Sequence, residues 1–199
     1  RGIRVTYVIN DRYRETNTGY SLMLAAKAIG TSEYVKFDAD VVFDIKILRQ
    51  VLDSDHENVL CIDRNIALED EEVKVIANDQ MQVLEIGKSV DPKRALGESI
   101  GIEKISAGTG ALLFTELSEM MESRENLQAY YEAAYAQLVN KGTQFHALDI
   151  SGLNWTEIDT AKDFAAANTM FGSPVTTISR SQQKALDEAA EKAAPQTHV

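Results

Sequence analysis

Residues 34–62 read YVKFDADVVFDIKILRQVLDSDHENVLCI. Tyr34 to Ala39 is β-prone and runs into Asp38-Ala39-Asp40. Asp44 to Leu52 then places Ile47, Leu48, Val51 and Leu52 on one side of a helix, and Asn58 to Ile62 is a second apolar β-rich run. Strand, helix of about ten residues and strand again is the signature of βαβ units on a parallel sheet. In such folds ligands collect at the carboxyl ends of the strands, where Asp38-Ala39-Asp40 stands.

The same alternation extends in both directions. Upstream, Ile3 to Asn10 reads as a strand, Asp11 to Thr18 as a polar loop, and Tyr20 to Ile29 as a helix with Leu22, Ala25, Ala26 and Ile29 at helical spacing, closed by Gly30. Downstream, Glu72 to Ala77 and Met81 to Ile86 form a hairpin through Asn78-Asp79. Ile100 to Ser106 is a strand, Gly108-Thr109-Gly110 a turn, and Ala111 to Met121 and Leu127 to Asn140 are helices, the second with Tyr130, Tyr131, Ala134, Tyr135 and Leu138 as its apolar side. Gln144 to Ile150 and Trp155 to Ile158 are strands, and Ala161 to Met170 is a helix. The expected fold is a Rossmann-like α/β domain over residues 1–172, with a mixed, mainly parallel sheet, helices on both faces and a small β-hairpin insertion. Residues 173–199, rich in Ser, Gln, Ala and Glu, read as a tail or linker.

The chain has 199 residues, 44% of them hydrophobic, and a formal net charge of -11. That is enough apolar surface for one domain with a full core. The charge argues against nucleic acid or an anionic membrane surface as a partner, since both are polyanions. A phosphate-bearing substrate would need a divalent cation, or a few basic side chains inside an acidic surround. Cys61 is the sole cysteine and lies in an apolar run, which predicts a buried thiol. No apolar stretch approaches the ~18 residues of a membrane span, and the chain does not open as a secretory signal does. A cytoplasmic setting is expected.

Asp38 and Asp40, two apart at a strand end, would share one face and offer hard oxygen donors to Mg²⁺; the alternative is a solvated acidic strand end. In Trp155-Thr156-Glu157-Ile158-Asp159-Thr160-Ala161-Lys162-Asp163, Thr160 and Asp163 have the spacing of a capping box, which leaves the Asp159 carboxylate for a metal. His56 and His146 match no ligand pattern, and His146, in an alternating strand, reads as structural.

With these segments stands Asn10-Asp11-Arg12-Tyr13-Arg14-Glu15-Thr16-Asn17-Thr18-Gly19-Tyr20-Ser21-Leu22, which resembles the Asn-x-x-Tyr-x-x-x-Asn-x-x-Tyr-Ser-Leu stretch of the cytidylyltransferase branch of the nucleotidyltransferase superfamily. Asp38 to Phe43 is similar to that family's metal-binding strand end, and Trp155 to Asp163 to its Trp-x-Glu-Ile-Asp-Thr-x-x-Asp element. The resemblance covers Ile3 to about Phe171 and implies CTP-dependent transfer to a small phosphate or phosphonate such as phosphocholine, inositol 1-phosphate or 2-aminoethylphosphonate, with release of pyrophosphate. It further implies Mg²⁺ on Asp40 and Asp159, meeting at one edge of the sheet. Lys88 would face the acceptor's anionic group, Glu98 and Gly101 would stand in the acceptor pocket, and Tyr13, Thr16 and Asn17 would line the nucleotide side. The family opens with a strand, a Gly-rich loop and Pro-Lys that hold the triphosphate, and this chain starts after that element; Gly108-Thr109-Gly110 lacks the lysine and the spacing to replace it. The rival readings are a metal-dependent glycosyltransferase using a nucleotide-sugar and a non-catalytic nucleotidyltransferase-like binding module.

Overall fold

The computed structural model describes residues 4–172; the tail expected over residues 173–199 falls outside them. The described chain forms two compact units, one ending at Glu157 and a second beginning at Ile158. In chain order the first contains α1 (Thr18–Ile29), β1 (Tyr34–Phe37), β2 (Val41–Phe43), α2 (Ile45–Asp53), β3 (Val59–Asp63), β4 (Lys74–Ala77), β5 (Val83–Gly87), β6 (Gly97–Ile105), α3 (Ala107–Met121), a 3-10 turn (Arg124–Gln128), α4 (Glu132–Asn140), β7 (His146–Asp149) and β8 (Trp155–Glu157). The second contains α5 (Ala161–Phe171).

Six strands make one mixed sheet in the order β5-β4-β6-β3-β7, with β1 also paired to β6. β3 and β7 are parallel neighbours, whereas β6 runs antiparallel to β1, β3 and β4. By these pairings β1, β3, β4 and β7 point one way and β5 and β6 the other. Every residue of β3 is buried, as suits a strand with a helix layer on each face. Leu113 and Leu117 of α3 and Tyr135 and Leu138 of α4 pack with Leu60 and Ile105 on one face. Ile47 and Val51 of α2 pack with Cys61, Ile100 and Ile150 on the other. β2 and β8 form a separate two-stranded ribbon.

Three expectations change. Residues 4–10 form no strand among the described residues, and Val5, Tyr7 and Ile9 are exposed, so β propensity without a paired neighbour makes no ladder here. Gly108-Thr109-Gly110 is not a turn but the first turn of α3, because Ser106 accepts from the Thr109 N–H and caps the helix there. The helix expected from Leu127 starts only at Glu132, after the 3-10 turn. The hairpin is present, with Asn78 Oδ1 accepting from the Gln80 and Gln82 N–H groups. Among the described residues no helix is long and apolar enough to cross a membrane.

β6 bends where its register with β3 slips, between Leu60 and Ile62, opposite Gly101. Gly101 has φ +71°, a left-handed conformation that L side chains avoid, and a Cβ there would overlap the Asp38 carboxylate. Strain and overlap act together, so Gly101→Ala should lower stability by about 2–4 kcal/mol. Urea unfolding of both proteins checks this, with an unchanged midpoint as the contrary result.

Candidate functional site

A cavity of about 550 Å³ opens beside the bend in β6. α1 contributes Thr18, Ser21, Leu22 and Ala25; the end of β1 and the turn after it contribute Lys36 to Asp40. The β3–β4 loop and β5 end contribute Glu71, Glu72 and Lys88, β6 contributes Glu98, Ser99 and Gly101, and the start of α4 contributes Tyr130, Tyr131 and Glu132. Of the residues singled out in the sequence, Asp40, Lys88, Glu98 and Gly101 therefore line one cavity.

β1 stops at Phe37, one residue short of Asp38, so the two aspartates do not share a strand face. The Val41 N–H donates to the Asp38 carbonyl at 3.5 Å, closing a turn with Ala39 and Asp40 at its tip. Asp38 is fully engaged. Its Oδ2 accepts from the Tyr131 hydroxyl at 2.7 Å, its Oδ1 lies 3.0 Å from Lys36 Nζ, and its N–H donates to the Gly101 carbonyl at 2.9 Å. Asp40 is exposed and has no side-chain hydrogen bond or ion pair within the described residues. A hard, uncommitted oxygen donor on a cavity wall fits Mg²⁺, which takes one or two carboxylates and completes its octahedron with water and substrate phosphate oxygens. Among the described residues no group of three or more His, Cys, Asp or Glu side chains could hold a metal ion.

Lys88 Nζ is 3.3 Å from Glu71 Oε2 and 4.8 Å from the centre of the Tyr130 ring. Both partners leave it partly open, and an exposed pair of this kind is worth at most about 1 kcal/mol, so a substrate anion could displace Glu71. Glu98 is buried, and its carboxyl is pushed up to about 7 by burial first and then by Glu157, Glu72 and Asp63, with Lys74 pulling the other way. Lys74 is itself buried and donates to the carbonyls of Glu69, Asp70 and Glu72, tying the acidic loop to β4.

The loop before α1 serves its own structure. Thr16 is buried, donates to the Arg12 carbonyl and accepts from Asn10; Asn17 is the N-cap of α1; and Tyr13 is exposed beside Arg14. None of these three lines the cavity, which takes Thr18 and Ser21 from the same segment. In the second unit Asp159 is exposed immediately before Thr160, which caps α5 in a full capping box with Asp163. His146 stacks on His56 with ring centres 3.6 Å apart. Burial, and then the neighbouring ring, lower its basicity. Cys61 is buried, which raises its thiol's pKa.

Sequence reading missed Lys36, Tyr131, Glu132 and Glu103. The available signal was polarity out of place: Lys36 interrupts the apolar strand Tyr34–Phe37, and Glu103 stands inside Ile100-Gly101-Ile102-Glu103-Lys104-Ile105.

Neither a protein-family model nor a curated protein sequence matches the chain. Solved structures do. The inositol-1-phosphate CTP transferase of T. maritima aligns with TM-score 0.61 at 18% identity, over 77% of this chain and 60% of its own. The CTP:phosphocholine cytidylyltransferase of Streptococcus pneumoniae aligns with TM-score 0.64 at 20% identity, over 81% of this chain and 66% of its own. A putative glucose-1-phosphate thymidylyltransferase of Bacillus anthracis gives 0.64 at 15%, over 84% and 65%. The chain thus spans between 60% and 66% of the length of these proteins, and at such identities the likeness is one of fold. What the chain shares with these solved nucleotidyltransferases is the fold, a mixed sheet with a helix layer on each face.

Proposed function

We propose that this protein transfers a cytidylyl group from CTP to a small phosphate or phosphonate acceptor. The observation that carries the reading is that Asp40, uncommitted, and Lys88, weakly paired, line one cavity of a nucleotidyltransferase fold. An acceptor oxygen attacks the α-phosphorus, a new P–O bond forms, the bond to the β-phosphate bridge breaks, and pyrophosphate leaves. The attacking oxygen is already ionised near neutral pH, so no side-chain base is needed. Lys88 exchanges Glu71 for the acceptor's anionic group and orients it. Asp40 would hold Mg²⁺, with Asp159 its second ligand on the sequence resemblance, and Mg²⁺ when bound supplies charge neutralisation at the α-phosphate.

The cavity lining also bears on the acceptor. Asp38, Asp40, Glu71, Glu72, Glu98, Glu132 and Glu157 face two lysines, Lys36 and Lys88. Such a surround disfavours an acceptor that is anionic throughout and favours one with an ammonium end beside its phosphate or phosphonate. Phosphocholine and 2-aminoethylphosphonate have this charge pattern; inositol 1-phosphate does not.

Pyrophosphate release by the protein, with the four nucleoside triphosphates and these acceptors, tests the reading. Turnover should require CTP, prefer the ammonium-bearing acceptors, and fall roughly 10²-fold in Asp40→Asn; release indifferent to Asp40 would overturn it. Lys88→Ala should raise the KM of the acceptor and leave that of CTP nearly fixed, the reverse pattern placing Lys88 on the nucleotide. Burial and its acidic neighbours push the Glu98 carboxyl up to about 7, so it gains charge as pH rises through that range. The acceptor's KM should therefore fall as pH rises from about 6 to about 8, and Glu98→Gln should flatten that fall. Because the acceptor's own phosphate also titrates near pH 6, the difference between the two proteins is the diagnostic quantity.

A further inference from the structure

Lys36 is a charged residue in a short strand, and its surroundings account for every face of its ammonium. Its cross-strand partner in the β1–β6 ladder is Glu103. Lys36 Nζ lies 3.0 Å from Glu103 Oε2 and 3.0 Å from Asp38 Oδ1, and 3.5 Å from the centre of the Tyr131 ring. Its side chain is 11% exposed and that of Glu103 is 1% exposed. The Lys36–Glu103 contact is an ion pair without the alignment of a hydrogen bond, so its strength is Coulombic and depends on both groups staying in place. Asp38 and Glu132 act electrostatically on Glu103, and Glu103 in turn on the Tyr34 and Tyr135 hydroxyls.

We infer that Lys36 is a positioning residue: held by Glu103 and the Tyr131 ring, it grips Asp38 and so fixes the turn that presents Asp40 to the cavity. This inference rests on the proposed role of Asp40 in holding a divalent cation. Both Asp38 oxygens are engaged, one by Lys36 and one by Tyr131, so Asp38 serves as the anchor of the turn and Asp40 as its open donor. The turn begins at the Asp38 carbonyl and ends at Val41, whose strand is paired to Glu157, leaving Ala39 and Asp40 tethered at both ends. Without Lys36, the Asp38 carboxylate would face Glu103 and Glu132 with no cation between them, and repulsion would push the turn away from β6.

The test is Mn²⁺ binding, read by electron paramagnetic resonance at saturating CTP, with CTP affinity measured separately. Asp40→Asn serves as the reference and should weaken Mn²⁺ the most; if it changes nothing, the proposed role of Asp40 fails, whatever Lys36 does. Given that reference, Lys36→Met and Asp38→Asn should each raise the Mn²⁺ dissociation constant roughly five- to tenfold, and the double variant no further, because the two residues act as one unit. CTP affinity should stay within about twofold. A lowered melting temperature with unchanged Mn²⁺ affinity would reduce Lys36 to a stabilising ion pair and overturn the inference, as would additive effects in the double variant. Should Lys36→Met not fold, Tyr131→Phe removes the other bond to Asp38 while keeping the ring under Lys36. It should raise the constant about two- to threefold, and no change there would also overturn the inference.

Discussion

Strand β6 is hydrogen-bonded to β4 at its start, to β1 at its end and to β3 along its length. Two of these neighbours, β4 and β1, follow one another along the same edge of β6. The bend at Gly101 separates them, and the space between the β4 and β1 ends is the cavity. The bend also sets the depth of Asp38, whose N–H reaches the Gly101 carbonyl and whose carboxylate lies where a side chain would otherwise stand. Backbone geometry in one strand thus decides where the cavity opens and which carboxylate is held in its wall.

Charge is arranged in two zones around this bend. Beneath it, Glu103 is pushed up to about 7 by burial, against the pull of Lys36, and burial likewise raises Glu132 and the Tyr131 hydroxyl. Toward the cavity, carboxylates outnumber ammonium groups, and Lys74 restrains part of that excess through its three bonds to the loop carrying Glu71 and Glu72. Burial makes the inner placements costly to disturb, whereas Asp40 stands exposed at the cavity wall.

Much of this was legible in the sequence where local pattern and tertiary context agree. The apolar run at Val59–Ile62, the helical spacing of Ile47 and Val51, the Thr160–Asp163 capping box and the Asn78 turn are each local signals, and each is present. Local pattern failed where a partner decides. Residues 4–10 have strand propensity and no ladder, and the Gly108-Thr109-Gly110 segment is drawn into α3, which Ser106 caps and whose Thr109 and Gly110 are buried. The site divided in the same way. Asp40, Lys88, Glu98 and Gly101 could be marked by motif and strand-end position, whereas Lys36, Glu103 and Tyr131 act through pairing across β1 and β6 and a helix start some thirty residues further along. Only register brings them together.

The contact between Gly101 and Asp38 has a consequence for how sequences of this kind can diverge. Any residue with a Cβ at position 101 overlaps the Asp38 carboxylate, and any shorter residue at position 38 leaves a gap above Tyr131 and Lys36. Neither position can drift alone without strain or a void, so the two behave as one inherited character. In a lineage where this glycine is lost, the aspartate two places before Asp40 is expected to be lost with it.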